Sequence, residues 1–138
     1  MVRRLALSAV LAAICLLGGP SSCGLFGPAH GRPDSQADAV IDMSFHNYKP
    51  STLTIYAGQT VEWRNISLVP HSVTNDPALA LYTQDARRPD GVAPFNSGKV
   101  KAGDIILFRF PTPGVYRYFC IYHEKQRMVG EITVLPPP

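Results

Sequence analysis

The chain has 138 residues, 46% of them hydrophobic and 17% charged; that length fits one domain, and that balance excludes a disordered tail and a polytopic membrane protein. The net charge of +3 includes Arg3 and Arg4; without them the 13 basic residues fall to 11, against 10 acidic ones. That is too even for the basic stripe of a nucleic-acid binder. Three cysteines, an odd count, exclude a framework built on disulfides alone.

Met1 to Arg4 is a short basic segment, and Leu5 to Leu17 is a nearly unbroken apolar run of 13 residues. The run suits the core of an export signal and falls short of the roughly 18–20 residues that span a bilayer. Cys15 lies inside it and would leave with it. Ser21 and Ser22 precede Cys23 and Gly24 follows it, a pattern that resembles the bacterial lipobox, with Pro20 where Leu is usual. Two fates stand open: acylation of Cys23, giving a lipid anchor in the membrane, or plain cleavage, for instance after Ala29, which discards it. Both predict a mature protein outside the cytoplasm, in the periplasm or on the outer face of the cytoplasmic membrane. The expected organisation is an export signal over 1–23, a tether over 24–38 with Pro28, Gly31 and Pro33, and a folded domain over 39–138.

The domain reads as all-β. Ile41, Met43 and Phe45 alternate onto one face, Leu53 and Ile55 form a second run, and Val61 and Trp63 follow the turn at Ala57-Gly58-Gln59. Ile106, Phe108 and Phe110 come next, then Val115 to Cys120, then Ile132 and Val134. Lys49-Pro50, Lys101-Ala102-Gly103-Asp104 and Pro111-Thr112-Pro113-Gly114 supply turns between them. Strands this short and this often interrupted predict a two-sheet sandwich. The stretch from Asn75 to Asn96 breaks the rhythm. It reads as a long loop with one helical turn, which Asp76-Pro77 would cap and Arg87-Arg88-Pro89-Asp90-Gly91 would end.

Chemistry concentrates near the C-terminus. Cys120, His123 and Met128 are spaced C-x2-H-x4-M between two predicted strands, so one loop delivers a thiolate, an imidazole and a thioether to one point. Soft sulfur with imidazole suits copper, and two His with one Cys and a weak axial Met is the type 1 donor set. The second imidazole must come from elsewhere in the chain. His30 lies in the tether, His46 reads as a surface residue on a strand edge, and His71, after the Trp63 strand in Val69-Pro70-His71-Ser72-Val73, is the choice. A lone Cys or Met is more often a core hydrophobe than a ligand, and a lone His71 would be unremarkable. Their joint spacing turns the weight. Outside the cytoplasm an unpaired thiol also invites oxidation, which coordination as a thiolate prevents.

From about Asp38 to Leu135 the sequence resembles the small blue copper proteins of the plastocyanin, pseudoazurin and amicyanin type, the cupredoxins. The residues carrying the likeness are Phe45, Pro50 and Gly58, then Val61-Glu62-Trp63-Arg64-Asn65 and Pro70-His71-Ser72-Val73. Phe95-Asn96-Ser97-Gly98, Gly114-Val115-Tyr116-Arg117-Tyr118-Phe119-Cys120, His123, Met128 and Gly130 complete it. The resemblance implies a Greek-key β-sandwich of about eight strands with one copper ion per chain, held by His71, Cys120, His123 and Met128. It also implies a buried His71, a His123 edge near the surface as the electron port, and a Ser72 side chain tying the two ligand loops together. Phe119 and Met128 would keep the site dry, with Leu68, Pro70 and Tyr122 as an apolar surface around His123. The departures are the tether, the Asn75–Asn96 segment and the charged loop Glu124-Lys125-Gln126-Arg127, where Lys125 and Arg127 read as a solvated face or a steering charge.

Other chemistries fail on residue counts. Structural zinc wants four His or Cys ligands; a binuclear copper centre needs a second loop cysteine, which Ile121 and Tyr122 do not supply; a trinuclear cluster needs His-x-His pairs, and the chain has none. No nucleophile triad or phosphate loop is present either. The sequence therefore predicts not an enzyme but an electron carrier cycling between Cu(I) and Cu(II), a monomer meeting redox donor and acceptor proteins in transient complexes. The alternative is a copper-carrying or buffering module on the cell envelope. Carriers usually expose Met- or His-rich surfaces, and Met43 and Met128 are the only methionines after Met1.

Overall fold

The computed structural model describes residues 36–138. The export segment, Cys15, Cys23, His30 and most of the tether lie outside the described residues.

Seven strands form two sheets. They are β1 (Ala39–Ser44), β2 (Asn47–Lys49), β3 (Thr52–Tyr56), β4 (Thr60–Asn65), β5 (Ile105–Arg109), β6 (Gly114–Phe119) and β7 (Val129–Leu135). One sheet has the order β2-β1-β4-β5, the other β3-β7-β6. Two pairings are parallel, β1 with β4 and β3 with β7; the rest are antiparallel. The strands exist because apolar residues recur every second position, turning Ile41 and Met43, Val61 and Trp63, and Ile132 and Val134 to the interior, where all six are buried. Each large side chain so buried is worth about 1.5–3 kcal/mol. Trp63 from one sheet meets Tyr118 from the other edge-on, with ring centroids 5.5 Å apart, in the preferred aromatic geometry.

The resemblance implies about eight strands; among the described residues the long stretch between β4 and β5 makes only isolated bridges. His71 pairs with Val100, Thr74 with Asn96 and Phe119, and Arg87 with Arg117. Pro70, Pro77, Pro89 and Pro94 interrupt this region, and each removes a backbone donor that a continuous ladder needs. The long segment does contain local helix, as two 3-10 turns at Pro77–Leu79 and Thr83–Asp85 rather than one. Asp76 caps the first, its Oδ1 accepting from Ala78 N–H at 3.0 Å.

Phe45 departs from its expected face. β1 ends at Ser44, the chain turns at Phe45 and His46, and Phe45 is 67% exposed while Tyr48 of β2 fills the interior. The alternation cannot run through a reversal of direction. Gly130 on β7 is demanded by packing: a Cβ there would fall inside the buried Tyr118 ring, which lies directly opposite it in the β6–β7 ladder.

Candidate metal centre

Asn65, the last residue of β4, organises the approach to His71. Its Nδ2 donates to the carbonyls of Val69 and Val100 at 2.8 and 3.1 Å. Its Oδ1 accepts from the backbone N–H and the hydroxyl of Ser67. The hydroxyl spends its proton there, so Ser67 Oγ is free to accept from Nε2 of His71, 2.9 Å away. That fixes the proton on Nε2 and leaves a lone pair on Nδ1. Backbone bonds between His71 and Val100 in both directions, at 3.0 and 2.8 Å, hold the residue in place. His71 is fully buried. Burial, reinforced by His123 and then His46, lowers its pKa to about 4, so the ring is neutral at pH 7.

Cys120, His123 and Met128 sit in the turn between β6 and β7. Cys120 N–H donates to the Met128 carbonyl at 3.1 Å, His123 N–H to the Cys120 carbonyl at 3.0 Å, and Met128 N–H to the His123 carbonyl at 3.1 Å. Between them a 3-10 turn, Glu124–Gln126, ends on Arg127 in the left-handed conformation, φ 64°. Cys120, the free cysteine among the described residues, is buried. Burial pushes its thiol up, while hydrogen bonds, led by that from Ser72 N–H at 3.4 Å, pull it back. Ser72 Oγ accepts from Ile121 N–H at 2.8 Å, and Ser72 C=O accepts from the Tyr48 hydroxyl at 2.6 Å. Ser72 thus joins the His71 loop to the Cys120 loop.

Cys120 Sγ lies 3.4 Å from Nδ1 of His123 and 3.8 Å from Nδ1 of His71. Ligand atoms of the three residues all fall within 4.8 Å of one another. A metal about 2.0 Å from each imidazole nitrogen and about 2.3 Å from a thiolate, at angles between tetrahedral and trigonal, sets N···S separations of roughly 3.5–3.7 Å. The two Cys120–imidazole separations lie close to that range. Met128 is fully buried and offers a thioether, the soft donor that completes a copper set.

His123 is half-buried, unlike His71. Its ring centroid is 4.9 Å from that of His71 and 4.8 Å from that of His46. His46 occupies the β1–β2 turn, half-buried, and stands outside the ligand cluster; it stacks on His123 and Phe45 instead of lying on a strand edge. Tyr122, 47% exposed, has its ring centroid 6.5 Å from that of His123, while Leu68 is 96% exposed and Pro70 half-buried. Phe119 is fully buried. Arg127 is no free surface charge: its Nη1 is 2.9 Å from Oδ2 of buried Asp85.

Sequence reasoning does not find Ser67, Glu124 or Asp85. Ser67, four residues before His71, could have been suspected from that spacing. The two carboxylates carry no local signal, because their partners lie more than thirty positions away in the chain.

A two-sheet sandwich that gathers two imidazoles and a buried thiol, with Met128 buried in the same turn, defines a soft-metal protein. The family described as copper binding proteins, plastocyanin/azurin family, matches residues 36–135. The chain is 31% identical to plastocyanin of Nostoc punctiforme over 129 residues, 90% of each chain. With plastocyanin of Prochlorothrix hollandica it shares 33% over 106 residues, 74% of this chain and 76% of that one. Among solved structures, a purple cupredoxin from Nitrosopumilus maritimus aligns with TM-score 0.54 at 30% identity, covering 71% of this chain and all of that one. Amicyanin from Paracoccus versutus aligns with TM-score 0.56 at 27% identity, covering 74% and 86%. The chain belongs to the plastocyanin/azurin family of copper binding proteins and is a small cupredoxin whose His71–Cys120–His123 cluster suits one copper ion. Family and site support a copper electron carrier.

Proposed function

We propose that the protein is an extracytoplasmic one-electron carrier, not an enzyme, holding a single copper ion through His71, Cys120, His123 and Met128. The observation that carries this reading is the convergence of two imidazoles and the thiol of Cys120, with ligand atoms within 4.8 Å. Bound copper would supply the Cu(I)/Cu(II) couple. The chain supplies the rest. Ser67 keeps the Nδ1 lone pair of His71 turned to the site, and Ser72 N–H stabilises charge on the Cys120 sulfur. Buried Phe119 and Met128 exclude water. Half-buried His123, with exposed Tyr122 beside it, is where a redox donor or acceptor would approach in a brief, weak complex. The basic and apolar segment before Ala29 supports export, and Cys23 is the candidate lipid anchor; the carrier acts as a monomer.

Loading the purified protein with copper tests the site. An intense blue charge-transfer band that bleaches reversibly on reduction, and disappears in Cys120→Ala, is the expected result. A colourless protein, or a blue Cys120→Ala, overturns it. Mass spectrometry of the mature chain decides between acylated Cys23 and a chain starting beyond it.

A further inference from the structure

Two buried carboxylates, pointing in opposite directions, lace the Asn75–Asn96 segment to the turn that carries the donors. Glu124 follows His123 directly and is buried. Its Oε2 accepts from Leu81 N–H at 2.8 Å and its Oε1 from Tyr82 N–H at 3.0 Å. Asp85, fully buried in the second 3-10 turn, answers from the other side. Its Oδ2 accepts from Nη1 of Arg127 at 2.9 Å, and Nη2 of Arg117 lies 3.5 Å from its Oδ1. The Arg127 guanidinium also sits 5.7 Å from the centroid of the Tyr82 ring, a cation–π distance.

Arg117 holds Asp85 from β6; the other two anchors, Glu124 and Arg127, fall between His123 and Met128 in sequence, where the turn has least order of its own. A single 3-10 turn has strained hydrogen bonds and little intrinsic stability. Buried carboxylates are costly unless satisfied, so Glu124 and Asp85 can occupy these places only while the segment is docked. A displacement of Glu124 moves its neighbour His123; a displacement of Arg127 moves Met128. An electron carrier needs donor atoms that stay put when the charge of the site changes.

We propose that Glu124 and Asp85 are positioning residues, through which the Asn75–Asn96 segment acts as a strap fixing His123 and Met128 relative to Cys120. The proposal rests on the copper reading for its spectroscopic test and not for its structural one. In the apoprotein, Glu124→Ala should speed amide hydrogen exchange at Leu81 and Tyr82 by at least about tenfold, since each loses a charge-assisted bond. Exchange at His123 and Met128 should rise with it. In the copper-loaded protein the same change should alter the EPR copper hyperfine pattern and release copper to a chelator at least about tenfold faster. Arg127→Gly is the second variant: glycine accepts the left-handed backbone without strain, so what is lost is the guanidinium's contacts to Asp85 and the Tyr82 ring, both on the strap, and the same shifts are expected. If Glu124→Ala does not fold, Arg127→Gly decides. Folded variants with wild-type exchange at His123 and Met128 and a wild-type EPR spectrum overturn the strap. If the wild-type protein takes up no copper, the copper reading fails alone, and exchange in the apoprotein still decides the proposal.

Discussion

Ser67 Oγ lies 2.9 Å from Nε2 of His71, while Nδ1 of the same ring faces Cys120 Sγ. One hydroxyl therefore decides which nitrogen of a buried imidazole is available to a metal. In Ser67→Ala the Nε2 proton loses its acceptor and the ring its orientation. Copper affinity should fall by about 10–100-fold, measured by competition with a chelator, while the unfolding midpoint of the apoprotein changes little. Unchanged affinity would show that backbone packing alone orients His71.

Acid should weaken the apoprotein in a defined window. His71 has a folded-state pKa of about 4 against an ordinary 6.5. Between those values the unfolded chain binds a proton that the native chain refuses. Stability therefore falls as pH drops from about 6.5 towards about 4, by at most roughly 3 kcal/mol from this group. His123, also shifted down by burial and by His46, adds in the same direction. Urea unfolding at pH 7 and pH 4.5 checks this, and equal stabilities would contradict it. Copper uptake should also weaken as pH falls, because binding must displace the Cys120 proton, which burial holds in place.

Met128→Leu keeps an apolar side chain in a fully buried place and removes the thioether proposed as the weak fourth donor. The blue band should persist and the reduction potential should rise, since the thioether favours the oxidised ion. Voltammetry reads the shift. Loss of copper would mean that the thioether is more than a weak ligand.

Gly130→Ala tests the packing beneath the site. The added methyl would collide with the Tyr118 ring, which is fully buried between Tyr48 and Trp63 and has nowhere to retreat. A destabilisation of about 1–3 kcal/mol is expected, with a larger effect on the unfolding midpoint than on copper affinity. A neutral result would mean that β7 shifts to accommodate the methyl.

Cys120, His123 and Met128 were legible because they share one turn, so linear spacing approximates distance. His71 was legible by its place after a strand and beside Pro70. Periodicity located β1, β4, β5, β6 and β7 closely, but continued through Phe45, because alternation carries no signal of where a chain reverses. The count of about eight strands came from the family resemblance, and alternation indicated no strand where the prolines allow only single bridges. The lacing of Glu124 to Leu81 and Tyr82, and of Asp85 to Arg127, was invisible in sequence for another reason. Each residue is an ordinary charged side chain until the fold brings a distant backbone or guanidinium against it, and the charged turn Glu124–Arg127 then reads as solvated surface. Two of its three charges, Glu124 and Arg127, are structural.

The parallel register of β3 with β7 also bears on how the molecule comes into being. Thr52 has no partner until Glu131 arrives, and β7 is the middle strand of its sheet. During synthesis the second sheet therefore cannot begin to assemble until nearly the whole chain has been made. Folding dominated by such distant pairings is slow. Until it finishes, Cys120 has neither burial nor neighbouring imidazoles to shield it. For this protein the vulnerable interval for its thiol is the time before the last strand docks.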